Sequence, residues 1–188
     1  METAAWEIPT LSEIVFKVGG ISEYSGLFFN IKNLYQINEK YQELANIVSE
    51  IEGVKSVCIE RQGVALAAGK KGRTGATVRG VSPSLYEKNE SFRKYLNILE
   101  GEFDVSTSKD AVIGSKLAKD LNLKLGDTIR IISSRSNSSG KVVPRFSTFK
   151  VKGICSSGYQ ELDALWVFIN AKTAFDIFST TPVMSSFK

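Results

Sequence analysis

The chain has 188 residues, 43% apolar, 23% charged and 10% aromatic, with a formal charge of +4. A chain of this length buries roughly 70% of its unfolded surface, and 15 Gly with 4 Pro are too few for a collagen-like or proline-rich disordered chain. Histidine is absent, which excludes Ser-His-Asp and Cys-His nucleophile systems, HExxH metalloprotease sites and zinc-finger ligand sets. Cys58 and Cys155 form no CxxC pair, and their apolar, strand-like surroundings predict two buried free thiols. No apolar run approaches the roughly 18 to 20 residues of a membrane helix, and the N-terminus lacks the basic region and apolar core of a signal peptide. The sequence reads as a soluble globular protein or as a segment cut from a longer one.

In chain order, Leu11 to Val18 predicts a strand or a short amphipathic helix, and Leu27 to Ile31 predicts a strand by its aromatic and β-branched content. Asn38 is a candidate N-cap for a helix carrying Tyr41, Leu44, Ala45, Val48 and Ile51 at helical spacing, with Gly53 as its stop. Val54 to Arg61 alternates as a strand. Gln62-Gly63 predicts a turn into a second strand, Val64 to Ala68. Gly69 to Gly75 (GKKGRTG) predicts a basic loop or hairpin turn, and Ala76 to Val81 resumes extended structure. Phe92, Tyr95, Leu96 and Leu99 predict one side of a short helix. A compact module follows: strand 110–113, helix 115–121, turn 125–127 and strand 128–132. Ser133 to Gly140 (SSRSNSSG) is the most loop-like segment. The last third predicts strands at 149–155 and 165–170, a polar connection between them, and a final helix at 171–178. The tail beyond Thr180 is expected to fray. The class is α+β, with short strands of mixed direction and a seam near 79–83.

Two segments are candidate contact surfaces. Lys70, Lys71 and Arg73, with Arg61 and Arg79, place five positive charges within residues 61–79 and no acidic one. Neither GxxxxGK[ST] nor GxGxxG is present, and the loop has no aromatic residue to stack on bases. Lys70, Lys71 and Arg73 therefore read as a solvated turn, with contact to an anionic surface as the functional alternative. The second segment groups Arg135, Lys141 and Arg145 around Val142, Val143, Pro144 and Phe146. A long hairpin with such side chains serves as a docking finger, and a loose crossover fits the local pattern equally. Asp127 after Gly126 predicts a turn residue bonded to local backbone, and Glu161 and Asp163 predict a solvated face. These carboxylates assemble no catalytic or metal constellation.

Residues 111–130 (AVIGSKLAKDLNLKLGDTIR) resemble the extracytoplasmic core domain of MacB-like ABC permeases, most closely the lipoprotein-releasing permeases LolC and LolE. The stretch ending in Gly53 to Val57, Val78 to Pro83 (VRGVSP), Gly101, Phe149 to Ile154 (FKVKGI) and Trp166 to Ala171 (WVFINA) agree in order and spacing. Together these motifs cover about residues 27–180.

The resemblance implies a porter-like, βαβ-containing subdomain at 24–75 and 145–180, with a β-rich subdomain inserted at 76–144. Residues 1–23 would be an N-terminal extension and 181–188 a frayed tail. It further implies a non-catalytic domain between two membrane helices on the extracytoplasmic side of the bacterial inner membrane. ATP would be hydrolysed in a separate cytoplasmic subunit. The expected partners are a second permease subunit or copy, that ATPase, a lipoprotein substrate and a periplasmic lipoprotein carrier. No nucleic acid and no cofactor are expected. Pro144, Phe149 and Val151 match the family pattern around the hairpin that recruits a carrier, which makes Arg135, Lys141, Val142, Val143, Pro144, Arg145 and Phe146 the candidate partner-contact loop. The alternatives are the same domain in an exporter of a peptide, toxin or drug, and a small basic module for RNA or anionic surfaces.

Overall fold

A computed structural model of the chain describes residues 14–19, 45–52, 54, 56–136 and 142–178. The strand expected at 27–31 and the tail 181–188 lie outside them. Of the helix expected from Asn38 to Ile51, residues 45–51 are described: 45–49 are helical, and the chain already turns at 50–51.

Alternating side chains and β-branched content carry much of the described chain into strands. These are β1 (Ile14–Gly19), β2 (Ser56–Gly69), β3 (Gly72–Val81), β4 (Asn97–Gly101), β5 (Asp110–Gly114), β6 (Thr128–Ser136), β7 (Val142–Ser156) and β8 (Trp166–Asn170). Between and after them come the short helices α1 (Leu85–Lys88), α2 (Glu90–Tyr95), α3 (Ser115–Leu121), α4 (Gln160–Asp163) and α5 (Ala171–Phe178). The class is the expected α+β.

Six strands close into a ring. β2 pairs with β3, β3 with β8, β8 with β5, β5 with β7, and β7 with β6. β6 then returns to β2 through Leu66↔Ile132, Ala67↔Ile131 and Ala68↔Arg130. The β3–β8 and β5–β7 pairings are parallel and the other four antiparallel. Closure pairs the edges that an open sheet of the same strands would expose. β1 extends β2 over Ser56–Arg61, and β4 adds to β7. The bounds 75/76 and 144/145 of the expected subdomains fall within β3 and β7.

The period-two alternation sorts side chains between two cores. Ala65, Ala67, Ala76, Val78, Ile113, Ile131, Val151, Val167 and Ile169 form the first cluster, joined by Leu117 and Leu121 of α3 and Ala174 and Ile177 of α5. The alternate positions Val81, Val112, Cys155 and Phe168 form the second, with Leu85, Leu96 and Val105 from the 85–105 connection. Phe92 and Phe103 meet Phe168 there at ring-centroid distances of 6.0 and 5.4 Å. Complete burial of Phe168 contributes about 1.5–3 kcal/mol.

Three local expectations are corrected. Gln62-Gly63 is not a turn, because β2 runs unbroken through it. Gly63 is small for another reason: a Cβ there would collide with the Phe178 ring, and one at Gly80 would collide with the Ala174 Cβ. These two glycines seat α5 against β2 and β3. The helix expected across 92–99 stops at Tyr95, where Asn89 has capped its start by accepting from the Phe92 N–H at 2.9 Å. Leu96 then turns into the second core and β4 begins at Asn97. The loop expected at 133–140 is shorter, because β6 continues to Ser136 and β7 already begins at Val142, paired from Ser136↔Val142 to Thr128↔Lys150. Ladder pairing with a partner strand here outweighs a Ser/Asn-rich composition that favours turns.

Candidate partner-contact surface

The β6–β7 hairpin carries the expected contact residues, and it displays several of them. Val142 is 70% exposed and Phe146 60%, while Val143 and Pro144 are also exposed. Register explains their directions. Ile132↔Phe146 faces outward, as does Val142, and Ile129↔Phe149 faces into the ring. Arg145 sits on the inward-facing register, where its Nη1 donates to the Asp176 carbonyl of α5. That bond ties the hairpin to the C-terminal helix. Arg135 pairs with Val143 in the ladder, its side chain lying outside the described residues together with Lys141.

The basic segment is a two-residue hairpin turn, with Gly69↔Gly72 closing the ladder and Gly72 at φ 90°. Glycine meets that left-handed φ without a Cβ clash. Lys70 Nζ contacts Asp127 Oδ2 at 2.6 Å, and the Lys71 N–H donates to the Leu121 carbonyl at 3.0 Å. Asp127 also accepts from the Lys124 N–H at 2.8 Å, the local-backbone role expected of it. The Lys70 bond, followed by the Lys124 N–H, holds the Asp127 carboxyl below the usual carboxylate range. Arg73 is exposed opposite Ala68.

The five-charge cluster does not form at the surface. Arg61 and Arg79 are 6% and 2% exposed. Arg79 makes a two-point ion pair with Glu60, through Nε to Oε1 and through Nη2 to Oε2 at 2.8 Å. Its guanidinium lies 4.6 Å from the Trp166 ring centroid and 4.9 Å from that of Phe168. Gln62 Nε2 adds a bond to Glu60 Oε1 at 2.8 Å. Arg61 instead donates to the Phe178 carbonyl at 2.8 Å and lies over Phe175. Both arginines hold packing together rather than receiving a ligand.

Asp163 likewise departs from its expected solvated face. It is 3% exposed and accepts from Ser156 Oγ (2.6 Å), Ser157 N–H (2.7 Å), Ser157 Oγ (2.8 Å) and Ser115 Oγ (3.3 Å). The single turn of α4 swings the carboxylate inward while Glu161 stays exposed. A buried carboxylate with this many donors is satisfied in place. It anchors the junction of β5, α3 and β7. The alternation of Ser156-Ser157 with an Asp six residues on was the available sequence signal.

Cys155 is a buried thiol, and Cys58 is half-buried rather than buried as expected. Burial, with the nearby Asp163 charge second, pushes the Cys155 thiol up to about 12. It is packing, not a nucleophile. Among the described residues no group of three or more His, Cys, Asp or Glu is placed to hold a metal. Nor is any helix among them long and apolar enough to cross a membrane.

The MacB-like periplasmic core domain model matches residues 13–186. No curated protein matches the chain. The fold is similar to the periplasmic region of MacB from Actinobacillus actinomycetemcomitans at 17% identity and a TM-score of 0.50, covering 89% of this chain and 68% of that one. It is also similar to the extracellular domain of the noncanonic ABC-type transporter YknZ from Gram-positive bacteria, at 18% identity and a TM-score of 0.50, over 74% of this chain and 67% of that one. The family match spans the ring, both cores and the exposed hairpin: the chain belongs to the MacB-like periplasmic core domain family and is the extracytoplasmic domain of a MacB-like ABC transporter permease.

Proposed function

We propose that this domain serves a permease that releases lipoproteins from the inner membrane, and that its β6–β7 hairpin guides the lipoprotein or a periplasmic carrier. The observation that carries the reading is the outward display of Val142 and Phe146, with Val143 also exposed between them, on a hairpin tied to α5 through Arg145. Exposed aromatic and aliphatic side chains on a paired, rigid hairpin lose little conformational entropy on docking. The match of Pro144, Phe149 and Val151 to the carrier-recruiting pattern supports the same reading. In this account ATP is hydrolysed in a cytoplasmic subunit, and a second permease subunit or copy completes the transporter. The domain holds and transmits. The expected division into a porter-like part at 24–75 and 145–180 and a β-rich part at 76–144 enters the proposal with bounds that fall within β3 and β7. Limited proteolysis tests it: cuts near 75 and 145 are expected from that division, and a ring that resists cutting there would reject it.

Photo-crosslinking from positions 143 and 146 in intact cells tests the function. Adducts with a lipoprotein or its soluble carrier are expected. Adducts with neither would reject lipoprotein release in favour of an exporter of another substrate.

A further inference from the structure

The sequence separates the basic turn from the hairpin by about sixty residues, and the ring puts them on one face. Cross-strand register makes this explicit. Gly75, Leu66, Ile132 and Phe146 form one outward row across β3, β2, β6 and β7, and Arg73, Ala68, Arg130 and Thr148 form the next. Val64, at 82% exposure, continues the apolar side beyond Leu66, at 43%. Lys150, paired with Thr128, continues the basic side. Arg73, Arg130 and Lys150 are all exposed.

No outward position of these four strands, from 62 to 68, 73 to 77, 128 to 134 and 142 to 150, is acidic. Asp127 stands at the rim, engaged by Lys70 and the Lys124 N–H. The opposite arc of the ring differs: its outward side chains are covered by the 85–105 connection and form the second core. The exposed arc thus combines protruding apolar side chains with exposed cations and no carboxylate among its outward positions. Apolar groups that enter the headgroup and acyl boundary, flanked by cations that meet lipid phosphate, are the two contributions to interfacial membrane binding.

We propose that the outer face of β3, β2, β6 and β7 docks on an anionic phospholipid surface. Leu66, Phe146 and Val142 enter the interface, and Arg73, Arg130 and Lys150 meet the phosphates. The domain belongs to a membrane permease, so a bilayer lies within the same assembly. This contact does not depend on which cargo the transporter moves, but it shares Val142 and Phe146 with the guide surface proposed above, so membrane docking and guiding would alternate.

Co-sedimentation of the 188-residue chain with phosphatidylglycerol vesicles, and separately with phosphatidylcholine vesicles, at low ionic strength tests it. Binding to the first and not the second is expected. The triple variant R73Q/R130Q/K150Q should weaken it roughly 150-fold, at about fivefold per cation, and Phe146→Ser roughly tenfold. Lys109→Gln, an exposed cation outside the arc, should change nothing, and circular dichroism confirms that each variant is folded. Equal binding to both vesicles, binding to neither, or equal loss in Lys109→Gln overturns the proposal. So does tight, triple-variant-sensitive binding to soluble polyglutamate without vesicle binding, which would assign the face to an acidic protein.

Discussion

Replacing Glu60 with Gln changes little in shape and removes one charge from a pair in which both members are 2% exposed. Arg79 would keep Trp166 and Phe168 at 4.6 and 4.9 Å but lose the anion that receives its Nε and Nη2 protons. Contacts to the two rings return at most about 2 kcal/mol each when desolvated. An uncompensated buried charge costs about 3–5 kcal/mol. We expect Glu60→Gln to lower stability by about 4 kcal/mol, a large share of the roughly 5–15 kcal/mol typical of a domain. Urea unfolding followed by tryptophan fluorescence would read this as a midpoint shift of roughly 2 M, for a slope of about 2 kcal/mol/M. The double replacement E60L/R79M should recover most of the loss, because apolar groups of similar volume replace a buried pair nearly neutrally. A Glu60→Gln midpoint within about 0.5 M of the parent would refute the claim that this pair is buried and mutually dependent.

Gly63→Ala and Gly80→Ala each push a Cβ into α5 and should cost about 1–3 kcal/mol, a fall of roughly 2–10 °C in Tm; unchanged thermal melts would mean that α5 is not seated there. Asp163→Ala leaves the Ser156, Ser157 and Ser115 donors without their acceptor and should cost about 2–3 kcal/mol, read by chemical denaturation. Cys155 should resist maleimide in the folded protein and react on unfolding. Its folded pKa of about 12 lies above the ordinary 9.0, so its contribution to stability is present in full below pH 9.0 and is lost as pH rises toward 12. Unfolding midpoints taken across that window should fall more steeply for the parent than for Cys155→Ala.

Much of the fold was legible where one physical signal acted alone. Alternation gave the first half of β2, and short apolar runs gave its second half, β5 and β8. The helix expected at 115–121 ends at Asn122 and the expected turn is made at Gly126, the two residues adopting positive φ, at 52° and 83°. Failures came where a distant contact set the outcome. Gly63 resembles a turn glycine locally, yet its smallness answers to Phe178 across the fold. The Ser-rich run after Ile132 favours a loop by composition, but pairing with β7 holds it extended to Ser136. Arg79 counted toward a basic surface because sequence distance hides that Glu60, nineteen residues earlier and one diagonal step from its register partner Gln62, becomes its ion-pair partner on the neighbouring strand. The candidate hairpin residues were legible as a group through their spacing around Pro144. That they share a face with Arg73 was not, since only the closure of β6 onto β2 brings the two together.

The most direct test of the account is accessibility from outside the cell. A Tyr95→Cys, Cys58→Ala variant of the longer permease, in intact cells treated with a membrane-impermeant maleimide, should label at position 95 without lysis, because Tyr95, 75% exposed and outside both proposed contact surfaces, faces the extracytoplasmic space. Labelling that appears only after the inner membrane is broken would place the domain on the other side and contradict the account.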